Sequence, residues 1–476
     1  MCGCFDGAPA AAAPTRRAAP TIEPGAMEED AARRSKNDLV KYNVDRRNCH
    51  SQGMGSLALV AAAAAAFTAA AAPPIAPANV SVVWHAPFFS GGGYCSEATT
   101  FVLGLAALGV PIGLEPHGDG FDQDYVAGLD DGTLASLRAL TAPRRPPPRV
   151  AVCHSEPGAW HVLDGPAWQS SACPRRSRLG APYTIGRTMF ETDRLPDGWP
   201  ERLNAVDEVW VPTEFHREIF EAAGVRNLQV VGEPVDTLRF SPSDDRYALP
   251  GVADDAFVVV SVFKWEKRKG WDVLLRAWAD AFSRGDGVVL VLLTNAYHSG
   301  SDFEATLETF VVETLGEPAG LAALAEIVVL SKLPEADLPR LYRRADVVAL
   351  PTRGEGWGRP HVEAMACGAA VAATAWSGPT AYLDESNGYP IRVAGLVAVG
   401  DGPFASHRWA EPDAAHLAAI LRRAKADPAE RRALGAKARA DMVARFSPAE
   451  LAAQVNAHLV RIEALLDARS PRRGDL

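Results

Sequence analysis

The feature that most constrains the fold is a regular alternation of short apolar runs with helical stretches, which begins near Asn79. Runs such as 257–262 and 288–294 are rich in valine and leucine and do not alternate with polar residues. Such runs are typical of strands that are buried on both faces, as in parallel sheets covered by helices. The pattern therefore predicts an α/β protein built on parallel sheets.

Two such series follow one another along the chain. The first occupies residues 79–242 and the second residues 251–446, and a turn-rich link, residues 232–251, joins them and overlaps the end of the first. We expect each series to form a doubly wound, Rossmann-like domain, with ligands bound beyond the carboxyl ends of the strands. A capping pattern at Ser447 then predicts an amphipathic helix within 447–476 that packs back on the core.

Residues 1–78 have a different composition and include a run of alanines with a few larger apolar residues at 56–72. Several lysines and arginines precede this run, which is typical of a signal peptide or an N-terminal anchor. We therefore expect membrane association through this segment and a location in the secretory pathway, in the ER or Golgi lumen. A low-complexity linker or a transit sequence is the alternative, with a cytoplasmic or organellar location.

Charge and cysteine content limit the classes of partner. The formal net charge is -10, so the chain has no overall basic field for nucleic acid, and we expect no nucleic-acid partner. The 7 cysteines are scattered and odd in number. We predict neither a zinc site nor a disulfide framework, and no metal site of another kind.

The segment 354–368 joins a glycine-rich, acidic loop directly to a short helix. Pro360 suits the first turn of that helix, and Gly368 suits the left-handed residue that ends it. Backbone amides of the loop can approach an anion at the positive end of the helix. Glu355 and Glu363 supply acceptors for hydroxyl groups on either side. The alternative interpretation is an ordinary loop followed by a capped helix.

Two further loops follow predicted strands and are suited to phosphate. The loop 263–270 carries four cations, of which Lys264 and Lys269 can neutralise a leaving diphosphate; a solvated charged surface is the alternative. Gly92 and Gly93 lie in a glycine loop after the first strand, which allows close approach of a phosphate but lacks the full dinucleotide-binding pattern. A flexible turn is the alternative there.

Two polar residues near strand ends of the first series are candidate sugar contacts. His154 ends one apolar run, and Glu191 follows another. We expect His154 to contact the transferred group and Glu191, as a second choice, to contact the acceptor. The alternative for His154 is a polar group whose hydrogen bonds are satisfied within the protein.

From about Asn79 to the C-terminus, the chain resembles the family 4 retaining glycosyltransferases of the GT-B fold. The resemblance is carried by the two glutamates of 355–368 with their Glu-Ala-Met-Ala-Cys-Gly ending, by Lys264 and Lys269 before Gly270, and by residues 209–215. The sequence departs from the family at Lys264, where arginine is more common, and at 160–178, which resembles an insertion on the acceptor side.

The resemblance implies a role for each candidate residue. Glu363 would hold the donor ribose, and Glu355 with the amides around Gly356 and Trp357 would hold the donor sugar. Lys264 and Lys269 would bind the diphosphate, and His154 would stand near the reacting sugar carbon.

The activity implied is transfer of a sugar from a UDP- or GDP-linked donor to a hydroxyl acceptor, with retained anomeric configuration. No permanently bound cofactor is implied. A non-catalytic nucleotide-sugar-binding protein and a GT-B nucleotide-sugar epimerase are the alternatives.

Overall fold

The computed structural model describes residues 76–141, 147–160, 173, 181–295, 302–316 and 320–469. The predicted signal or anchor segment, 56–72, lies outside these residues, and so does nearly all of the insertion predicted at 160–178. Within the described ranges, no helix combines the length and the apolar character needed to cross a membrane.

The first sheet has six strands, all parallel, in the order β2-β1-β3-β4-β5-β6. Its strands are β1 (Val82–Ala86), β2 (Ile112–Pro116), β3 (Val150–His154), β4 (Tyr183–Arg187), β5 (Glu208–Val211) and β6 (Leu228–Val230).

The second sheet also has six parallel strands, in the order β12-β11-β10-β7-β8-β9. Its strands are β7 (Phe257–Lys264), β8 (Val288–Asn295), β9 (Glu326–Leu330), β10 (Val347–Leu350), β11 (Ala370–Thr374) and β12 (Tyr389–Ile391). An antiparallel hairpin that the sequence did not predict follows, formed by β13 (Val393–Ala398) and β14 (Arg408–Pro412).

Helices connect the strands and cover the sheets. Those of the first series are α1 (Gly93–Ala107), α2 (Gln123–Gly128), α3 (Asp131–Leu140), α4 (Trp199–Leu203) and α5 (Glu214–Ala222). The later ones are α6 (Trp271–Ala281), α7 (Phe303–Thr309), α8 (Leu338–Arg344), α9 (Arg359–Ala366), α10 (Ala414–Ala426), α11 (Pro428–Phe446) and α12 (Pro448–Arg469).

The continuous apolar runs are buried on both faces of the sheets, as their composition predicts. Val258, Val259 and Val260 are successive residues of β7, and none is exposed to solvent. Because neighbouring side chains of a strand point to opposite faces, this burial requires helices on both sides. The predicted architecture, two doubly wound parallel sheets, is confirmed.

Helix α12 returns to the first series. Gly104 in α1 faces Ala452 and the carbonyl oxygen of Pro448, so the two helices approach closely. Asn456 accepts a hydrogen bond from the amide of Ala78 (2.8 Å) and donates to the carbonyl oxygen of Ala76 (3.0 Å). The C-terminal helix is therefore fixed to the start of the first sheet.

In each sheet, the direction in which successive strands are added reverses once, next to β1 in the first sheet and next to β7 in the second. The chain places β2 on one side of β1 and β3 on the other, and it places β8 and β10 on opposite sides of β7. Ligands of open α/β sheets bind at such switch points, beyond the carboxyl ends of the strands. The loops after β1, β3, β7 and β10 carry nearly all the residues that the sequence marks as candidates.

Candidate functional site

The loops of the second sheet are joined by one buried arginine. Arg353, just after β10, is 3% exposed and binds the carboxylates of Asp272 and Glu411. Its guanidinium also donates to the carbonyl oxygen of Lys267 (2.8 Å), and its amide donates to the carbonyl oxygen of Arg268 (2.6 Å). Arg353 therefore holds the turn after β7 against the loop after β10.

Glu355 lies where these two loops meet. Its carboxylate oxygens lie 2.7 Å from Nζ of Lys269 and 3.3 Å from Nη1 of Arg268. Burial alone would raise the pKa of Glu355, but the charges of Lys269 and Arg268 outweigh burial and lower the pKa to about 2. Glu355 is therefore ionised at neutral pH and accepts hydrogen bonds only.

Lys264 is the last residue of β7 and lies beside this cluster. Desolvation and the positive charges of Lys269 and Arg268 outweigh the attraction of Glu266 and lower the pKa of the Lys264 ammonium. The carboxylates of Glu355, Glu191 and Glu266 lie beside the other two cations. The turn is therefore a cluster of paired charges, and its cations are suited to bind an anion such as a diphosphate.

Glu363 lies on α9, one helical turn beyond Arg359. Its carboxylate accepts a hydrogen bond from the hydroxyl of Tyr342 (3.2 Å) and lies 3.8 Å from Nε of Arg359. Burial raises the pKa of Glu363 to about 7 despite the attraction of Arg359. Unlike Glu355, this carboxyl group changes its charge near neutral pH.

The acidic loop also touches the first sheet at two glycines. A side chain at Gly354 would collide with the carbonyl oxygen of Glu191, and one at Gly356 would collide with the side chain of Met189. Glu191 itself lies 3.7 Å from Nη1 of Arg268. We name the junction of this loop with the loops after β1, β3, β4 and β7 the cleft.

Trp357 lies in the same loop, but its ring is part of the core. The indole is 2% exposed and packs against Tyr382 and Phe446, with ring centroids 5.0 Å and 5.2 Å away. The amides of Gly356 and Trp357 donate to no acceptor among the described residues. A ligand would therefore meet Trp357 through its backbone and not through its ring.

Two helix N-termini converge on the cleft. Gly92 caps α1, Gly93 is its first residue, and Arg359 is the first residue of α9. Arg359 donates to the hydroxyl oxygen of Ser96 in the first turn of α1 at 3.0 Å. The positive ends of both helices therefore lie within one side-chain length of each other, which favours an anion between them.

His154 is placed differently from the expectation. It is fully buried; its Nδ1 accepts from the indole N–H of Trp84 (3.1 Å), and its Nε2 lies 3.0 Å from a carboxylate oxygen of Glu97. Because indole only donates, the ring is assigned as the Nε2–H tautomer. Both nitrogens are engaged within the protein, so in this conformation His154 has no ring nitrogen left for a sugar.

The buried cluster around His154 also contains Arg187. Glu97 accepts from Nε of Arg187 at 2.8 Å, and all three side chains are inaccessible to solvent. Burial alone would raise the pKa of Glu97, but the charge of Arg187 and the hydrogen bond from His154 lower it to about 2. This cluster joins α1, β3 and β4 behind the cleft.

One expectation about cysteines is wrong. Cys153, next to His154, forms a disulfide with Cys173, and both residues are buried. The odd cysteine total and the 20-residue separation gave no local pattern from which to predict this pair. The bridge joins Cys173 to strand β3. Among the described residues, no group of three or more His, Cys, Asp or Glu side chains is arranged as a metal site.

The sequence reasoning missed three arginines that the structure brings to the cleft, namely Arg268, Arg353 and Arg359. Arg268 lies in the run of cations at 263–270, but the family resemblance implied a role only for Lys264 and Lys269. The partners of Arg353 lie at 272 and 411, and those of Arg359 include Ser96. These separations are too large for a local pattern to indicate the contacts.

Comparison with known proteins agrees with this geometry. Residues 254–408, which include the lysine turn and the acidic loop, match the family model described as glycosyl transferases group 1. This part of the chain belongs to that family.

Curated proteins similar to this chain include two D-inositol 3-phosphate glycosyltransferases. The protein from Actinosynnema mirum is 32% identical over 273 residues, which cover 52% of this chain and 63% of that protein. The one from Saccharomonospora viridis is 35% identical over 265 residues, or 49% of this chain and 58% of that protein. The chain spans about half the length of the curated relatives it matches.

Solved structures of similar fold align with most of this chain. Sucrose-phosphate synthase from Thermosynechococcus elongatus aligns with a TM-score of 0.58 at 18% identity, covering 82% of this chain and 100% of that one. HepE from Anabaena, in complex with UDP and glucose, aligns with a TM-score of 0.54 at 16% identity, covering 80% and 99%. The likeness shows that the predicted GT-B fold is correct.

Proposed function

We propose that this chain transfers a sugar from a nucleoside-diphosphate sugar to a hydroxyl acceptor, with retention of the anomeric configuration. The observation that carries the proposal is the contact of Glu355 with Lys269 and Arg268 beside the first turn of α9. Cations suited to a diphosphate and carboxylates suited to hydroxyl groups occur together there. A sugar nucleotide requires both.

Each part of the donor has a matching group in the cleft. Lys264, Lys269 and Arg268 neutralise the diphosphate, with the N-terminal turns of α1 and α9 supplying further positive potential. Glu363 accepts hydrogen bonds from the ribose. Glu355 and the amides of Gly356 and Trp357 bind the sugar.

Retention is what the resemblance to family 4 implies, and the ionised state of Glu355 is compatible with it. Glu355 is ionised and engaged with two cations, so it is suited to orientation and not to proton donation. We propose that the departing phosphate takes the proton of the acceptor hydroxyl on the same face of the sugar. The cations stabilise the charge that develops on the phosphate.

UDP is the nucleotide to test first, because the similar-fold HepE was solved in complex with UDP and glucose. D-inositol 3-phosphate is the first acceptor to test, since several relatives are named for it. Neutral polyols and saccharides complete the acceptor panel, because the relatives match only part of this chain.

The experiment is a screen with radiolabelled UDP- and GDP-sugars, with and without the acceptor panel. We expect one donor to be consumed faster with an acceptor and to yield a glycoside whose anomeric configuration, measured by NMR, matches that of the donor. Binding without turnover would instead support a non-catalytic protein. Interconversion of donors without an acceptor would support an epimerase.

A further inference from the structure

Arg359 connects three parts of the molecule that are distant in sequence. From the first position of α9, its guanidinium reaches Ser96 in α1 (3.0 Å) and the carbonyl oxygen of Pro234 in the link between the two series. Its Nε also lies 3.8 Å from a carboxylate oxygen of Glu363. The side chain is 12% exposed, so these contacts are largely shielded from water.

A second buried arginine binds the chain just before the link. Arg187 donates from Nη1 to the carbonyl oxygen of Val231 at 2.6 Å, three residues before the carbonyl that Arg359 binds. Arg187 belongs to the first sheet and Arg359 to the second series. The start of the link is therefore fixed between one guanidinium group from each half of the molecule.

Glu233 lies in the link between these two attachment points. It is 2% exposed; its Oε2 lies 3.9 Å from Arg359, and its Oε1 has no hydrogen-bond partner among the described residues. An incompletely satisfied buried carboxyl group favours a change of partners when a ligand arrives. Arg359 thus lies between two carboxyl groups, Glu233 of the link and Glu363 of the donor site.

We propose that Arg359 is a positioning residue that couples occupancy of the donor site at Glu363 to closure of the cleft. The inference rests on the proposed function. In the structure, Arg359 already binds Ser96 and Pro234 together. A sugar nucleotide bound at Glu363 brings its diphosphate to the start of α9, holds the guanidinium in this orientation, and so favours this closed arrangement of the two halves over more open ones.

The chemistry of the side chain explains why arginine is needed here. A guanidinium group presents five N–H donors in one plane, so it can bind a hydroxyl oxygen, a carbonyl oxygen and a carboxylate at the same time. A lysine ammonium keeps the charge but cannot span these positions. Arg359→Lys therefore tests geometry apart from charge, and Ser96→Ala removes only the contact with α1.

The experiment compares the full chain with Arg359→Lys, Ser96→Ala and a control, Arg343→Gln. Arg343 also donates to carbonyl oxygens of the link, those of Ser241 (2.7 Å), Asp245 and Arg239, and these bonds reach neither α1 nor Glu363. UDP binding is measured by titration calorimetry, compaction on UDP binding by small-angle scattering, and kcat and KM with the donor from the screen.

We expect UDP to compact the wild type and the Arg343→Gln control. Arg359→Lys and Ser96→Ala should lose that compaction, and kcat should fall about tenfold, as for loss of a hydrogen bond to a charged group. In Ser96→Ala, KM for the donor should stay within about threefold of wild type, because the ribose contacts remain.

If Arg359→Lys and Ser96→Ala both show the same compaction and kcat as Arg343→Gln, the coupling is wrong. The proposed function is not affected by that result. A wild type that binds neither UDP nor GDP would overturn the proposed function, and the coupling with it. If Arg359→Lys fails to fold, Ser96→Ala decides the question, because it removes a single oxygen atom.

Discussion

The two walls of the cleft hold their charges in different ways. On the first-sheet wall, Glu97, His154 and Arg187 bind one another and are closed to solvent. On the second-sheet wall, the side chains of Lys269 and Glu355 are 14% and 9% exposed, at a rim where two loops meet. A closed cluster fixes structure, whereas charges at a rim can exchange partners with a ligand. We call the first wall the scaffold and, under the proposed function, the second the binding wall.

The largest effect should come from the scaffold. In Glu97→Gln the side chain keeps its shape but loses its charge, which leaves Arg187 buried without a counter-charge. Breaking one partner of a buried pair costs about 3–5 kcal/mol. We expect the free energy of unfolding, measured in urea, to fall by that amount.

The pH dependence of the free energy of unfolding gives a second test of the role of Glu97. The pKa of Glu97 is lowered from 4.5 to about 2 in the folded protein, so its stabilising contribution is complete above pH 4.5 and is lost as the pH falls toward 2. Glu97→Gln should therefore lose less stability than the wild type over that interval. The control is Glu214→Gln, which removes a charge from an exposed pair on α5. If Glu97→Gln and Glu214→Gln lower the free energy of unfolding by the same amount, the buried cluster contributes no more to stability than an exposed pair, and the proposed difference between the walls is wrong.

The second effect concerns the binding wall. Lys269→Ala should lower kcat about 100- to 1000-fold, the cost of removing one group that stabilises developing charge. It should destabilise the fold less than Glu97→Gln does, because Arg268 remains beside Glu355. Lys267→Ala is the matched control, because Lys267 lies in the same turn with an exposed side chain. Steady-state kinetics with the selected donor measure both. A kcat that falls equally in the two variants would assign the effect to overall charge and not to the contact with Glu355.

The contrast between the walls also explains what the sequence could predict. Valine-rich runs predicted both sheets because burial on two faces leaves a local signature. The sequence could indicate the candidate residues of the binding wall because they lie in two short segments, 264–269 and 355–363, which the structure brings together. Their role in binding stays a prediction. The scaffold could not be predicted, because Glu97, Arg187 and their shared contact with His154 come from three distant elements. The partners of His154, Trp84 and Glu97, are also distant in sequence, so the sequence did not show that both ring nitrogens are engaged within the protein.

The smallest effect distinguishes the two glutamates of the binding wall. Burial raises the pKa of Glu363 to about 7, while the pKa of Glu355 is about 2, so only Glu363 gains a proton between pH 8 and pH 6. A ribose hydroxyl donates better to a carboxylate than to a carboxylic acid, so donor affinity should fall about tenfold over that interval. Calorimetry with an intact sugar nucleotide measures this without titration of a terminal phosphate. In Glu363→Gln, affinity should be weaker at pH 8 and nearly independent of pH, because the amide does not titrate. If donor affinity falls by the same factor between pH 8 and pH 6 in Glu363→Gln, another group takes up the proton, and the assignment of Glu363 to the ribose is wrong.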